Sequence, residues 1–215
     1  MISIIIPCKN RLNHLAITFP LIQKLAGEFE IIVVDYGCPM GTKDYLLATF
    51  PNEKRLKVIK ADVGTQEWNL SHSRNLGFKE STGDALIFLD ADTKVRSNFL
   101  TQHPLNENEF YTGSWLHASG CCYVWRKDFE VVRGFNEISG SWGSEDFDLY
   151  RRLEGRGLKR NYFDKKLMYN INHHDKIRNE FHGRTNIHES NEANYQLQQK
   201  YFKSWPKLVF LRASI

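Results

Sequence analysis

Ala85-Leu86-Ile87-Phe88-Leu89-Asp90-Ala91-Asp92 carries five apolar residues into two carboxylates held apart by one small residue. The apolar run comes after Ser81-Thr82-Gly83, a stop signal, and its length predicts a strand buried on both faces, as in the middle of a parallel sheet. Open α/β sheets take their ligands at the carboxyl ends of their strands, and hard divalent cations take oxygen donors. The triplet therefore reads as a seat for a divalent metal and for a diphosphate that the metal holds.

Outward from that strand the pattern alternates. Residues 2–6, 30–35 and 56–60 are further short β-branched or apolar runs, separated by helical spacing over 12–26, 42–50 and 69–80. Asn69 is a good cap for the last of these. Strand and helix in alternation predict an α/β fold, a mostly parallel central sheet flanked by helices. Beyond Asp92 the regularity weakens: residues 120–125 read as a strand, 126–132 as a short helix stopped by Gly134, and Ser144 as the cap of a helix that buries Leu149 and Leu153. Residues 189–203 read as a polar helix ended by Trp205-Pro206.

The 215 residues suit a single domain able to bury a core without disulfides or structural zinc. With 41% hydrophobic and 25% charged residues the composition is that of an ordinary soluble protein, and no apolar run approaches the ~18 residues of a membrane span. The apolar start lacks a basic leader and is closed by Pro7, Lys9, Asn10 and Arg11, so it is read as a first core strand rather than a signal peptide. Cys8, Cys38, Cys121 and Cys122 show no CxxC spacing, which fits reduced thiols in a cytoplasmic protein. Charge is uneven: residues 1–150 hold 15 Lys and Arg against 19 Asp and Glu, while residues 151–215 hold 14 against 6. The basic last third suits an anionic ligand or membrane surface. Its aromatic and cationic stretch at 200–212 suits peripheral contact with the inner face of an anionic membrane, or plain packing on the domain. Nucleic acid is not expected as a partner, because the net charge is only +4 and no recognition motif accompanies the tail.

The loop after the first strand excludes several chemistries. Pro7-Cys8-Lys9-Asn10-Arg11 holds no glycine, so neither GxGxxG nor a P-loop is present, and no GxSxG elbow occurs anywhere in the chain. A nucleotide must then be held by side chains and a metal.

In order, PCKNR (7–11), Val34-Asp35, HSRNLGF (72–78), Asp90-Ala91-Asp92 and WGSEDFD (142–148) resemble GT-A glycosyltransferases. Within that fold the chain is most similar to family 2 enzymes and to the β-1,4-galactosyltransferase and chondroitin-polymerase branch, whose hallmarks are a DxD and a WGxEDxD segment. The resemblance implies a metal-dependent, inverting transfer from a UDP-sugar to a glycan or lipid-linked saccharide. It also implies a division into residues 1–92 for the nucleotide, 93–188 for acceptor and catalysis, and 189–215 as a C-terminal helix and basic tail.

The same resemblance implies the residue roles. Asp92 is expected to bind Mn²⁺ or Mg²⁺ directly and Asp90 to serve ribose and metal-bound water. Displacement of a nucleoside diphosphate leaves charge on its phosphate, which a Lewis acid offsets. His173, with His174 and His182 as competitors, is expected to complete the metal shell. Three residues earlier stands Asn170, where the resembled enzymes have a softer Met. Asp146 is the expected base, because a sugar hydroxyl must lose its proton as it attacks. Glu145 and Asp148 would orient acceptor or loop, Trp142 would stack on a sugar ring, and Gly143 would let the loop close. Pro7, Arg11, Asp35 and Arg74 are expected around the nucleotide, Asp35 at the uracil and Arg74 either at phosphate or in a structural ion pair. A catalytically silent sugar-nucleotide-binding module, and a nucleotidyltransferase, remain as alternatives.

Overall fold

The computed structural model describes residues 1–63, 68–114, 117–138, 143–172 and 187–202. Its strands are β1 (Ile2–Cys8), β2 (Phe29–Asp35), β3 (Leu56–Lys60), β4 (Ala85–Phe88), β5 (Thr93–Val95), β6 (Glu109–Ser114), β7 (His117–Trp125), β8 (Lys159–Tyr162) and β9 (Met168–Asn170). Seven of them form one sheet in the order β3-β2-β1-β4-β7-β6-β8, with β5 and β9 paired as a separate ribbon. The first four are parallel; β7 then runs antiparallel to β4 and β6, and β8 returns parallel to β6.

Alternation along the central strands builds two cores. Ile4, Ile6, Ile31, Val33 and Ile87 face one side, where Leu15, Phe19 and Ile22 of α1 (Leu12–Ile22) and Leu46 of α2 (Thr42–Thr49) cover them. Ile5, Ile32, Val34, Leu86 and Phe88 face the other. There they meet Leu76 and Phe78 of α3 (Leu70–Lys79). After α4 (Phe99–Gln102), the same face takes Phe129 of α5 (Arg126–Val131) and Leu149 and Leu153 of α6 (Glu145–Gly155). A slip of one residue would exchange the two faces, and each fully buried side chain contributes roughly 1.5–3 kcal/mol, so the register is firmly set. The expected α/β arrangement is what forms. No helix among the described residues is long and apolar enough to cross a membrane.

Some boundaries differ from expectation. The first helix stops at Ile22 rather than at 26, because tight turns from Lys24 N to Leu21 O and from Leu25 N to Ile22 O carry Leu25 back into the core. Strands β5, β6, β8 and β9 were not expected. The β8 sequence Lys-Arg-Asn-Tyr has no apolar alternation, and it becomes a strand by pairing with β6. The last helix, α7 (Ile187–Phe202), begins two residues before the expected start.

Gly77 sets how closely α3 lies on the sheet. A Cβ there would stand 2.4 Å from Ile5 Cγ2 and 3.1 Å from Val34 Cγ2. Gly77→Ala is therefore expected to lower unfolding free energy by about 1–3 kcal/mol despite the better helix propensity of alanine, seen as a lower urea midpoint at unchanged slope.

Candidate active site

The carboxyl ends of β1, β2 and β4 meet along one edge of the sheet, and Asp90-Ala91-Asp92 turns there. Each carbonyl of the turn is held: Asp90 O accepts from Thr93 N at 2.9 Å, Ala91 O from Thr18 Oγ1 at 2.8 Å, and Asp92 O from Ile171 N at 2.8 Å. The turn is thus pinned to α1 on one side and to the segment after β9 on the other. Asn170, beside Asp92, has its Nδ2 3.4 Å from Asp92 Oδ1, and its own Oδ1 is buried with no hydrogen-bond partner. A buried carbonyl oxygen left unpaired costs desolvation energy unless something fills its place. Asp92 and Asn170 so offer oxygen donors of the kind a hard cation takes. Among the described residues no three His, Cys, Asp or Glu side chains converge as a metal cluster. His173, His174, His182 and Trp142 lie outside the described residues.

Arg74 stands at the centre of the carboxylates, with no exposed surface. Its Nη2 donates to Asp90 Oδ1 at 2.9 Å and to Gly120 O at 2.8 Å, and its Nη1 donates to Asp146 Oδ1 at 2.7 Å. Glu145 Oε1 lies 3.9 Å from the same Nη1, and the guanidinium packs 4.8 Å from the centre of the Phe135 ring. Of the two partners considered for Arg74, a phosphate or a structural ion pair, the structure shows ion pairs with protein carboxylates. A fully buried cation must be paired where it lies, and its planar fork suits two carboxylates at once. Gly120 makes room, since a Cβ there would be 3.0 Å from both Arg74 Nη2 and Asp90 Oδ2. On either side of it, Ser119 O and Cys121 O accept from Tyr150 Oη at 2.8 and 3.1 Å, docking α6 onto β7.

Glu145 and Asp146 open α6. Ser144 precedes the helix at φ +67°, and its hydroxyl donates to Asn191 Oδ1 at 2.9 Å instead of capping the helix as expected. The left-handed backbone turns that side chain away from the helix amides. Gly143, at φ +110°, donates its N–H to Glu145 Oε2 at 3.0 Å, while its carbonyl accepts from Asn194 Nδ2 at 2.9 Å. Gln198 Nε2 holds Ser144 O at 2.8 Å. Thus α7 clamps the turn that aims both carboxylates. Burial, reinforced by the neighbouring Asp146 and opposed by Arg74, pushes the Glu145 carboxyl up to about 8. Burial likewise raises Asp90 against the pull of Arg74, with Asp92 and Asp146 adding to the rise.

The remaining candidates divide. Pro7 is buried at the end of β1, where β4 pairs no further than Ile5, so its missing N–H interrupts no ladder. Asp35, almost wholly buried, accepts from Cys38 N at 2.8 Å and Lys43 N at 3.0 Å and so fixes the loop after β2. Arg11 donates to Asn10 O at 3.1 Å at the mouth of the same edge. Asp148 does not join the group: it is buried and its Oδ2 accepts from Arg152 Nε and Nη2 at 3.0 and 2.6 Å. Arg152 in turn donates to Gly134 O at 2.7 Å and to Val132 O. This closes the turn after α5, so of the roles expected of Asp148, orienting acceptor or loop, the structure shows it fixing a turn.

Residues 3–188 match the family described as Glycosyl transferase family 2, far more than half the chain. The chain belongs to glycosyl transferase family 2. Curated relatives of this family 2 chain include human β-1,4-galactosyltransferase 6, 25% identical over 97% of the chain and 52% of the relative. Human β-1,4-galactosyltransferase 5 is 27% identical over 85% and 46%. The chain thus spans about half the length of the curated relatives it matches. Among solved structures, S. aureus TarS in complex with UDP-GlcNAc aligns with TM-score 0.64 at 14% identity, over 80% of this chain and 58% of that one. A mutant Drosophila β1,4-galactosyltransferase 7 in complex with manganese, UDP-Gal and xylobiose aligns with TM-score 0.62 at 14% identity, over 92% and 79%. These likenesses show that the family 2 chain has the GT-A fold.

Sequence reasoning missed Asn191, Asn194 and Gln198. Their signal was present: Ser190, Asn194 and Gln198 recur at helical spacing and are all buried, a polar stripe that a solvated helix does not need. For this family 2 protein the raised Glu145 carboxyl gives a pH prediction. The folded state keeps that proton to about pH 8, whereas the unfolded chain releases it near the ordinary 4.5, so stability falls as pH rises between those values, by at most about 1.4 kcal/mol per pH unit. Glu145→Gln mimics the protonated form. Its unfolding free energy relative to wild type should therefore grow from pH 5 to pH 8 in urea titrations, and a difference that stays flat would refute the assignment.

Proposed function

We propose that the protein transfers a hexose or N-acetylhexosamine from a UDP-sugar to a saccharide or lipid-linked saccharide acceptor, by a metal-dependent, inverting displacement. What carries this reading is the meeting of Asp90 with Glu145 and Asp146 around Arg74, with Asp92 two residues on from Asp90 beside Asn170, at the carboxyl ends of parallel strands. Donor sugars bound by structural neighbours, UDP-GlcNAc in one and UDP-Gal with manganese and xylobiose in another, support it.

Asp146 is the proposed base. Its Oδ1 is taken by Arg74, so Oδ2 is assigned the acceptor proton, and Arg74 keeps that carboxylate oriented. A positioned carboxylate contributes roughly 10²–10⁴-fold to such a step. Glu145, neutral below about pH 8, adds little negative charge beside the attacking hydroxyl and holds the Gly143 turn. Asp92 and Asn170 would hold a divalent metal, with His173 as the further ligand expected from sequence. When bound, that ion supplies a Lewis acid for the departing diphosphate. Pro7, Arg11 and Asp35 border the proposed uridine pocket.

The test is UDP release from a panel of UDP-sugars with Mn²⁺, Mg²⁺ or EDTA. Asp146→Asn is expected to lose about 10²–10⁴-fold in turnover while still binding UDP by calorimetry, and EDTA or Asp92→Ala to abolish turnover. Turnover insensitive to EDTA would sink the metal assignment. Binding of UDP-sugars without release from any of them would mark a silent module instead.

A further inference from the structure

Two of the four cysteines share one environment. Cys8 ends β1, and Cys38 lies three residues beyond Asp35, the residue that pairs with Cys8 in the sheet. Cys8 Sγ is 3.4 Å from Thr42 Oγ1, and Cys38 Sγ accepts from Asn10 N at 3.3 Å. The two thiols lie near enough for each to shift the titration of the other, and both belong to one buried cluster with Thr42 beside Cys8. Cys121 and Cys122 lie apart from them on β7, both with no exposed surface.

We propose that Cys8 and Cys38 are a thiol-modification site that a peroxide closes to a disulfide, stapling the loop after β1 to the loop after β2. Their charge state favours the reaction. Hydrogen bonding from Cys8, with Thr42 and the backbone amides of Met40 and Asn10, lowers the Cys38 thiol to about 5, while its partner Cys8 is pushed up and keeps the shared proton. Lys9 lies close enough to add positive charge. Cys38 is also the slightly exposed member, at 8% against 0% for Cys8. A thiolate held by donors is the nucleophile. The Cys38 sulfur attacks one peroxide oxygen and releases hydroxide, which takes up a proton to become water and leaves a sulfenic acid. The Cys8 sulfur then attacks the Cys38 sulfur as its proton leaves with the hydroxyl as water. Two thiols lose two hydrogens and one hydrogen peroxide becomes two waters.

Closure acts on the nucleotide edge. The two sulfurs must draw in to about 2.05 Å, and Cys38 N is the group that anchors Asp35 Oδ1. The staple therefore shifts the Asp35 loop and weakens UDP binding, a consequence that rests on the nucleotide reading above.

Treatment with one equivalent of hydrogen peroxide should lower the intact mass by 2 Da and reduce titratable thiols of the unfolded chain from four to two. Peptide mapping should join residues 8 and 38, and dithiothreitol should reverse the change. Cys38→Ser should abolish the loss, and Cys8→Ser should leave Cys38 as a sulfenic acid trapped by dimedone. Four thiols retained, or a link through Cys121 or Cys122, would overturn the site. Calorimetry then separates the two readings: UDP should bind the reduced protein at least tenfold more tightly than the oxidised one. Equal affinity for both forms overturns the coupling, whereas a reduced protein that binds no UDP refutes the nucleotide assignment.

Discussion

A guanidinium with no contact to solvent holds this protein's chemistry in place. Arg74 reaches carboxylates from the turn after β4 and from the start of α6, segments 16 and 72 residues away along the chain. Burying that cation is tolerable only because both partners and the Gly120 carbonyl are present. Removing one member of such a group strands a charge, at a cost of roughly 3–5 kcal/mol. The same geometry makes the two acidic motifs one object: neither can move without Arg74, and the side-chain-free Gly120 keeps the space they share open.

Most of the fold could be read locally. The first four strands and three helices alternate in short apolar or β-branched runs and helical spacing, so periodicity alone placed them, although β3 at the sheet edge is only partly buried. The parts that escaped are those whose structure is lent by a neighbour. Strand β8 has no apolar alternation and exists through its ladder to β6, while β5 and β9 are three-residue strands that steady each other beside Asp92. Helix ends were harder for the same reason. Ile22 ends α1 because Leu25 has a core to return to, which no local signal announces.

The site was legible in its residue types and less so in its pairings. Asp90, Asp92, Glu145 and Asp146 were singled out from motif spacing, and the first and last of these are now joined through Arg74. The resemblance left Arg74 between a phosphate and an ion pair, and Asp148 between acceptor and loop; in the structure both are buried in internal ion pairs, Arg74 with Asp146 and Asp148 with Arg152. The orphaned Asn170 oxygen could not be foreseen, and the polar stripe of α7 signalled a contact without naming its partners, since both depend on which side chains fail or manage to meet across long sequence separations.

That clamp has a bearing on how the molecule comes to be finished. Asn194 grips the Gly143 carbonyl from 51 residues downstream, and Gly143 in turn orients Glu145. During synthesis the sheet, Arg74 and both acidic motifs can emerge and fold while the residues of α7 are still inside the ribosome. The nascent domain then holds Asp90, Asp92, Glu145 and Asp146 before the turn that aims the last two is fastened. Fastening of that turn is left to the docking of a polar helix rather than to formation of the hydrophobic core.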